Sequence, residues 1–384
     1  MKTNKSKKAS SIQKRAASVN LGHPSSETNW FSFTSGTSGI NVTEITALNC
    51  SAVWRAATLI SQSIASLPCV VYQKNSDGSR IKALNHPAYK LLSGNPNPEC
   101  TNFSFREAMN MHLLLNGNAY AEIEYNRRGI PIALWLLPPE KVSVARDTKG
   151  ELVYIIQGSG KKAQLTKEQI IHVVGPSSNG IHGYGRVRLA AESIGLTLAA
   201  EKYGAAFFGN GARVSGTLTH PGQLGEEEQA NLKKSLTDSY TGPEHTAKIM
   251  VLEEGMSWTP ISLTAEEAQF LQTRKFQTEE VARWFNLRTA WLDSTQTGGT
   301  PEHLGIDFVT WTLRSELQRY EDEFARKLLG DSGEYYVEHK VDALLRGDTI
   351  SRYNAYKIGL EMGFLTIDEI RELENLPKLV KNTA

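Results

Sequence analysis

Two long helical patterns constrain the fold of this chain more than any other feature of the sequence. They cover residues 189–208 and 264–286. In the first pattern small residues recur at four-residue spacing and therefore share one face of the helix. They are Ala191, Gly195 and Ala199. Because a face of small side chains lets another helix approach closely, we predict that this helix packs tightly against a partner helix.

The second helical pattern carries polar side chains in the middle of its apolar face. The apolar positions are Phe270, Val281, Trp284 and Phe285. The polar positions between them are Arg274, Gln277 and Thr278. A helix that is apolar at its ends and polar along its waist is expected to bridge two domains and to contact similar helices rather than a core.

An acidic insertion separates the two helical patterns. Residues 212–263 are expected to form a short strand at VSGTL, a helix that begins near Gly225, and a hairpin made of KIMVLEEG and MSWTPISL. Between residues 212 and 263, seven acidic side chains stand against four basic ones. An acidic surface is better suited to docking a protein than to holding phosphates.

The connection after the second pattern, residues 287–304, is long and contains the doublet Gly298-Gly299. Connections of this length without structure of their own are uncommon, and they are usually functional or disordered. Beyond it, apolar residues keep three- and four-residue steps and predict a helix that ends at Gly330. These residues are Ile306, Val309, Leu313, Leu317, Tyr320, Phe324 and Leu328.

The first half of the chain predicts an α+β domain with a twisted antiparallel sheet. Helical patterns from Ala47 to Pro68 and from Phe103 to Leu115 are followed by strand-like segments. The segments are CVVYQ, AYAEIEY, IALWLL, KVSVAR, LVYIIQ and IIHVVG. Near the end of the chain a strand, EYYVEHKV, precedes two final helices, the last of which begins with a capping box at Thr366-Ile367-Asp368-Glu369.

Charge and cysteine content argue against several classes of protein. Forty-two basic residues balance forty-one acidic ones, which argues against a protein that holds nucleic acid tightly through its phosphates. The three cysteines form no CxxC pair, so neither a disulfide framework nor a zinc ribbon is expected, and a reducing compartment is favoured. No apolar run is long enough to span a membrane. Residues 1–44 are interpreted as a basic, disordered arm, with a specific DNA or capsid contact as the alternative.

The motifs of common enzymes are absent from the sequence. There is no GxxxxGKS/T phosphate loop, no GxSxG nucleophile elbow and no HExxH metal pair. Gly183 and Gly185 in HGYGRV lack a third glycine at the spacing of a dinucleotide site, so they are expected to form a turn. His172 and His182 are interpreted as ordinary histidines rather than metal ligands. We therefore expect no catalytic residues, no metal and no cofactor.

The order of these elements resembles the portal proteins of tailed bacteriophages, in particular the family found in long-tailed phages. The segments that carry the resemblance are VWRAATLISQSIASLPCVVYQ, HPAYKLLSGNPNPECTNFSFREAMNMHLLLNGNAYAEIE, WLLPPEKV, YGAAFFGNGARVSGTL, EEAQFLQTRKFQTEEVARWFN, LRSELQRYEDEFARKLL and GFLTIDEIRELENLP. They extend from about Leu48 to Leu376, nearly the whole ordered part of the chain. Each segment alone is a weak signal, but their shared order and spacing are specific.

The resemblance implies a ring, usually a dodecamer, at one capsid vertex, through which double-stranded DNA is packaged and later ejected. It implies a portal fold with an α/β wing at 45–185 to which 305–350 returns, stem helices at 186–210 and 264–286, a small α/β clip at 211–263, a tunnel loop at 287–304 and a short helical crown at 351–384. The implied partners are the terminase large subunit as packaging motor, the major capsid and scaffold proteins, and a head-completion or adaptor protein. The implied location is the portal vertex of the virion, and the host cytoplasm during assembly, with no membrane.

The same resemblance assigns roles to residues. The tunnel loop would project into the channel close to DNA and would include Arg288, Thr295, Gln296, Thr297, Gly298, Gly299 and Thr300. The stem would carry Arg274, Gln277 and Thr278. The clip would dock the motor and the adaptor through Glu226, Glu227, Glu253 and Glu254. Many relatives carry a Pro-Pro pair where the stem helix ends, whereas this chain has Asn286-Leu287-Arg288-Thr289, so the resemblance does not predict how its tunnel loop starts.

Two other functions stay open at this stage. One is a monomeric or dimeric nucleic-acid-binding protein that is anchored by the basic arm, and deletion of residues 1–44 would then abolish its DNA affinity. The other is a hydrolase whose catalytic residues are scattered in sequence, because triads are spatial arrangements. A hydrolase would show an acid, base or nucleophile clustered in one pocket. The alternative for the tunnel loop is a mobile exterior loop.

Overall fold

A computed structural model describes most of the chain from residue 39 onward. The described residues are 39–158, 162–209, 216–222, 225–231, 234, 255–260, 264–293, 301–330, 333–341, 344, 349–374, 376, 377 and 379.

Helices form at the predicted helical patterns and also at Glu44–Ala47 and Pro87–Ser93, where no helix was predicted. They are α1 (Glu44–Ala47), α2 (Ser51–Ser66), α3 (Pro87–Ser93), α4 (Asn102–Asn116), α5 (Arg186–Leu189), α6 (Ala191–Gly209), α7 (226–231), α8 (Thr264–Trp284), α9 (Pro301–Asp307), α10 (Arg314–Phe324), α11 (Thr349–Glu361) and α12 (Ile367–Leu373). The two long patterns correspond to α5 with α6 and to α8. The predicted capping box of α12 is confirmed, because the Thr366 amide donates to Glu369 Oε2 at 2.7 Å and the Glu369 amide donates to Thr366 Oγ1 at 3.3 Å.

Strands form small antiparallel sheets. They are β1 (Cys69–Lys74), β2 (Arg80–Lys82), β3 (Asn118–Tyr125), β4 (Pro131–Leu137), β5 (Val142–Arg146), β6 (Leu152–Gln157), β7 (Lys162–Thr166), β8 (Ile170–Val174), β9 (Gly216–Thr219), β10 (Ser257–Pro260) and β11 (Tyr335–His339). The strand orders are β11-β1-β2, β4-β3-β8, β5-β6-β7 and β10-β9. The α+β class is confirmed, but the strands of the first half do not form a single sheet, because β1 pairs with the distant β11 and β5 to β7 form a separate meander.

The chain divides into two compact units. Unit 1 contains Met1–Ser61, Ala108–Glu122 and Leu136–Gln296, and unit 2 contains Gln62–Glu107, Ile123–Trp135 and Thr297–Ala384. In unit 1, helices α6 and α8 pack together, and β3, β6, β7 and β8 bury a cluster of Tyr120, Tyr154, Leu165 and Ile170. In unit 2, the strands β1 and β11 pack against α3 and α10 respectively. The buried stripe of the long helix there consists of Leu313, Leu317, Tyr320 and Phe324.

The predicted helix that ends at Gly330 is present, with two differences. Two π-helical segments, Phe308–Leu313 and Ala325–Leu329, lie before and after α10. The helix also starts at Pro301, within the predicted loop 287–304, because proline suits the first turn of a helix, where its missing N–H has no partner to lose. A 3-10 turn, Thr289–Trp291, shortens the irregular stretch further.

The acidic insertion is described in part. β9 and β10 pair antiparallel, with Trp258 opposite Leu218, so MSWTPISL does contain a strand. The predicted hairpin partner, KIMVLEEG, lies almost wholly outside the described residues.

Candidate functional site

Helices α6 and α8 are joined by polar contacts at two levels. Ser193 Oγ donates to Glu280 Oε2 at 2.8 Å, and Arg274 Nη2 lies 3.3 Å from Glu201 Oε1. Because the start of α6 meets the end of α8, the two helices run antiparallel. A partner helix for α6 is therefore present within unit 1, but Ser193 and Glu201 lie on a different side of α6 from Ala191, Gly195 and Ala199, so the role of the small-residue face stays a prediction.

The three polar residues of the predicted waist have different environments. Gln277 is only 3% exposed, and neither its amide nitrogen nor its amide oxygen has a hydrogen-bond partner among the described residues. Arg274 has a half-exposed side chain and pairs with Glu201. Thr278 Oγ1 donates to the Arg274 carbonyl at 3.2 Å, which satisfies it locally. The waist is therefore not one continuous polar surface, since Gln277 is buried in the protomer.

Helix α8 ends in a Schellman motif. Asn286 has a φ of 54°, the left-handed conformation that asparagine tolerates better than most residues. The Leu287 amide donates to the Ala282 carbonyl at 2.8 Å, and the Asn286 amide donates to the Arg283 carbonyl at 3.1 Å. These two bonds define the motif and satisfy carbonyls at the end of the helix. The direction of the chain after α8 is therefore set without the Pro-Pro pair that many relatives carry.

The helix exit is also held by packing. Phe285 is 1% exposed and Leu287 is 8% exposed, and the guanidinium of Arg186 lies 5.8 Å from the centre of the Phe285 ring. Arg288 follows, exposed, at the N-cap position of the 3-10 turn. The other predicted tunnel-loop residues lie outside the described residues: Thr295, Gln296, Thr297, Gly298, Gly299 and Thr300.

Two of the four predicted docking residues of the insertion are described. Glu226 and Glu227 are exposed on the first turn of α7. Their neighbour Glu228 turns back and accepts a hydrogen bond from the Gly225 amide at 2.9 Å, which caps the helix. Glu253 and Glu254 lie outside the described residues.

A cavity of about 430 Å³, lined about equally by polar and apolar surface, lies in unit 1 next to a hydrogen-bonded cluster that sequence reasoning missed. His172 contacts the Tyr154 hydroxyl through Nδ1 at 3.2 Å and Asn118 Oδ1 through Nε2 at 3.1 Å. The Gly183 amide donates to the same Asn118 oxygen at 2.9 Å. A Cβ on Gly183 would lie 1.8 Å from the Gly117 carbonyl oxygen, so this crossing requires glycine. The glycines of NGNAY and HGYGRV were the signal in the sequence.

A second buried polar cluster lies in unit 2. Cys69 and His339 are directly opposite on β1 and β11, and His339 Nδ1 lies 2.9 Å from Glu321 Oε1. Burial opposes charging of the imidazole, yet Cys69 and Glu321 raise the pKa of His339 to about 9. Burial also opposes ionisation of Cys69, but His339 lowers the pKa of that thiol. Arg106 donates to the carbonyls of Ile64 and Leu67.

This thiol, imidazole and carboxylate have the order of a catalytic triad but not its access. The side chain of His339 is 1% exposed and Cys69 is 2% exposed, so a substrate cannot reach them. Within the described part of the chain, no group of three His, Cys, Asp or Glu side chains is placed to hold a metal ion. None of the described helices is both long and apolar enough to cross a membrane.

Comparison with known proteins identifies the family. The model of the phage portal protein family matches residues 51–375. The portal protein of Enterobacteria phage HK97 is 34% identical over 352 residues, which cover 90% of this chain and 82% of that protein. A probable portal protein of Streptomyces phage phiC31 is 32% identical over 361 residues, covering 89% of this chain and 78% of that protein.

Solved structures show the same fold at lower sequence identity. A HK97 family phage portal protein from Corynebacterium diphtheriae matches 80% of this chain and 99% of its own, with a TM-score of 0.60 and 19% identity. A chain in the virion of a native gene transfer agent particle matches 88% of this chain and 94% of its own, with a TM-score of 0.61 and 22% identity. The chain therefore belongs to the phage portal protein family, whose members are structural components of the virion.

Proposed function

We propose that this chain forms a ring-shaped conduit for double-stranded DNA at one vertex of the capsid, used in genome packaging, head–tail connection and ejection. The observation that carries the proposal is the family match over residues 51–375. We further propose a dodecamer. In support, a chain from the neck of a native gene transfer agent particle, computed with C12 symmetry, matches 88% of this chain with a TM-score of 0.59 and 21% identity.

In this proposal α6 and α8 are the stem helices, and the insertion between them is the clip. The clip docks the terminase large subunit and the head-completion or adaptor protein, through Glu226, Glu227, Glu253 and Glu254. The excess of acidic residues in the insertion supports a protein partner over DNA at this place. The major capsid and scaffold proteins contact the ring during assembly in the host cytoplasm.

We propose that the segment after α8 is the tunnel loop, through which Arg288 and the residues from Thr295 to Thr300 meet passing DNA. The Schellman motif at Asn286 supports this role, because a fixed helix exit gives a loop a defined base from which to project. Near-neutral charge of the whole chain also supports a conduit, since every added phosphate contact would hold the DNA and slow its passage.

Ring formation is the first test. We expect negative-stain electron microscopy of the purified protein, or of protein co-expressed with its scaffold, to show rings with a central hole, and mass photometry to give one dominant mass. A monomer or dimer in both preparations would contradict the conduit and favour a nucleic-acid-binding protein. We also propose that the chain has no catalytic activity of its own. Hydrolytic turnover that a single substitution abolishes would contradict that statement.

The tunnel loop has its own test. We expect deletion of Thr295 to Pro301 to leave ring assembly intact and to reduce DNA packaging or retention. A variant in which the same residues are replaced by a Gly-Ser linker of equal length is the matched control, because it keeps the reach of the loop and removes its side chains. Normal packaging by the deletion variant would contradict the assignment.

A further inference from the structure

The sheet β11-β1-β2 in unit 2 has two faces of different character. Alternation along the strands puts Cys69 and Val71 on the face that packs in the core, so Tyr72 and Lys74 lie on the other face. The register extends this second face across the sheet, since Tyr72 is opposite both Tyr336 and Lys82, and Lys74 is opposite Arg80. We call it the cationic sheet face, made of Val70, Tyr72, Lys74, Arg80, Lys82, Tyr336, Glu338 and Lys340.

Positive charge dominates this face. Four of its side chains are cations, Lys74, Arg80, Lys82 and Lys340, and one is an acid, Glu338, so its formal charge is 4 − 1 = +3, while the whole chain has +1. Glu338 is shared, since its carboxylate accepts from Arg80 Nη1 at 2.5 Å and lies 3.2 Å from Lys340 Nζ. Two other acids lie close to these strands in sequence. Asp77, in the turn after β1, accepts hydrogen bonds from the amide and the hydroxyl of Ser79, and Glu334 lies just before β11.

The register places like charges opposite each other. Lys74 and Arg80 are direct cross-strand neighbours, and such a pair destabilises a sheet, whereas an opposite-charge pair would stabilise it. The ion pair of Arg80 with Glu338 offsets part of this cost, but the face as a whole keeps its excess of positive charge. An anion bound across Lys74 and Arg80 would remove the repulsion between them.

Aromatic rings order the cations before any ligand arrives. The Arg80 guanidinium lies 5.0 Å and Lys340 Nζ 5.1 Å from the centre of the Tyr72 ring, and Lys74 Nζ lies 5.4 Å from that of Tyr336. The two rings stack at 5.5 Å. Long side chains that are already held over rings lose less rotamer entropy when they bind, so the face is preorganised for an anionic partner.

We propose that the cationic sheet face binds the phosphate backbone of double-stranded DNA, through residues other than those of the tunnel loop. The choice of DNA rests on the proposed conduit, which works on DNA. It also rests on the surface, because a docked protein needs an apolar anchor, whereas Tyr72 is 5% exposed and covered by cations. Three of the four cations are lysines, which bind phosphates as point charges without sequence preference.

Circular DNA tests this contact independently of the channel. Covalently closed, relaxed circular DNA cannot thread a closed ring, so its binding reports surfaces other than the channel. We expect the full-length protein to bind circles, and the double substitution Lys74→Glu with Lys82→Glu to weaken binding by about tenfold or more at low salt. The negative slope of log binding constant against log salt concentration should become shallower by about two, since each lost phosphate contact removes about 0.9 from its magnitude.

The control is Lys141→Glu with Lys149→Glu, which makes the same change of charge at two exposed lysines of unit 1. We expect it to bind circles like the natural protein. Equal losses in both double variants would overturn the proposal, as would circle binding that Lys74→Glu and Lys82→Glu leave unchanged. If the glutamate variant does not fold, Lys74→Gln with Lys82→Gln is measured instead. Ring formation by microscopy on the same samples separates failure of this contact from failure of the conduit.

Discussion

The helix pair α6 and α8 in unit 1 leaves large apolar side chains exposed, whereas helix α10 in unit 2 buries its apolar stripe. On α6 and α8, Leu196, Tyr203 and Phe276 are 53%, 58% and 52% exposed. In unit 2 the apolar stripe of α10 is almost completely covered, with Leu317 at 4% and Phe324 at 2% exposed. Exposed large apolar residues on neighbouring helices mark a contact surface, whereas a covered stripe marks a finished core.

This difference separates the folding stability of the protomer from the stability of the assembled ring. The apolar stripe of α10 is covered within one protomer, so substitutions on that stripe should change the free energy of unfolding. We propose that a neighbouring subunit of the ring covers the exposed side of the α6–α8 pair. Substitutions on its exposed side should therefore change assembly and leave the folding of the protomer unchanged.

The largest effect is expected for assembly. The double substitution Leu196→Glu with Phe276→Glu should reduce the ring fraction at least about tenfold, because burying two carboxylates in a contact between subunits is costly. The free energy of unfolding of the protomer should change by less than about 0.5 kcal/mol per site. Mass photometry and chemical denaturation measure the two quantities. Ile132→Glu, at a site 49% exposed in unit 2, is the control. Normal ring formation by the double variant would show that the exposed side of α6 and α8 is not a contact between subunits.

Substitution of Arg106 tests how much a buried residue of unit 2 contributes to folding stability. Arg106→Met should lower the free energy of unfolding by about 2–4 kcal/mol, because the buried carbonyls of Ile64 and Leu67 lose their charged donor. Arg55→Met changes an exposed arginine on α2 and should stay within about 0.5 kcal/mol. Urea denaturation of both variants decides the matter. Similar small losses in the two would show that Arg106 does not hold the end of α2.

The Cys69–His339–Glu321 cluster predicts a pH dependence confined to unit 2. A raised pKa of His339 stabilises the fold below pH 6.5, and that contribution disappears as pH rises through about 9. In the natural protein the imidazolium of His339 takes its proton from the Cys69 thiol. The pair then binds as many protons as it does in the unfolded chain, so stability should depend only weakly on pH. In Cys69→Ala the partner that contributes most to the raised pKa of His339 is gone, so this pKa should fall and the dependence of stability on pH between 6.5 and 9 should stay shallow.

Glu321→Gln in the Cys69→Ala background is the matched control. The amide no longer favours the imidazolium while burial still opposes it, so the pKa of His339 should drop below its usual value and stability should fall as the pH decreases below 6.5. Arg106 stays charged throughout this range. Denaturation at several pH values measures the slopes, and equal slopes in the single and double variants would exclude His339 as the titrating group.

Local features of the fold were predictable, and contacts between distant segments were not. The capping box at Thr366 and the stop at Gly330 follow from side-chain chemistry within a few residues, and both are present. The π-helical segments change the hydrogen-bond register without changing the apolar spacing, so the pattern could not predict them. The burial of Gln277 depends on packing around α8, and the pairing of Cys69 with His339 depends on residues far apart in the chain.

For the candidate site, the sequence predicted the helices and connections better than the environments of single residues. The helix pair, the insertion and the start of the connection lie where the sequence indicated, and the tunnel-loop and docking roles stay predictions. The helix exit at Asn286 was readable in principle, because asparagine and glycine are the residues that end helices in the left-handed conformation.

Substitutions at Asn286 should have the smallest effect, and they test what fixes the end of α8 in unit 1. Asn286→Gly should leave stability nearly unchanged, since glycine adopts the left-handed conformation freely. Asn286→Val should cost about 1–2 kcal/mol, because a β-branched side chain is strained at a φ of 54°. Ring formation should survive both changes, whereas DNA retention should fall in the valine variant if the motif aims the tunnel loop. A valine variant that is as stable as the glycine variant would show that packing of Phe285 and Leu287, rather than the turn, fixes the exit of the helix.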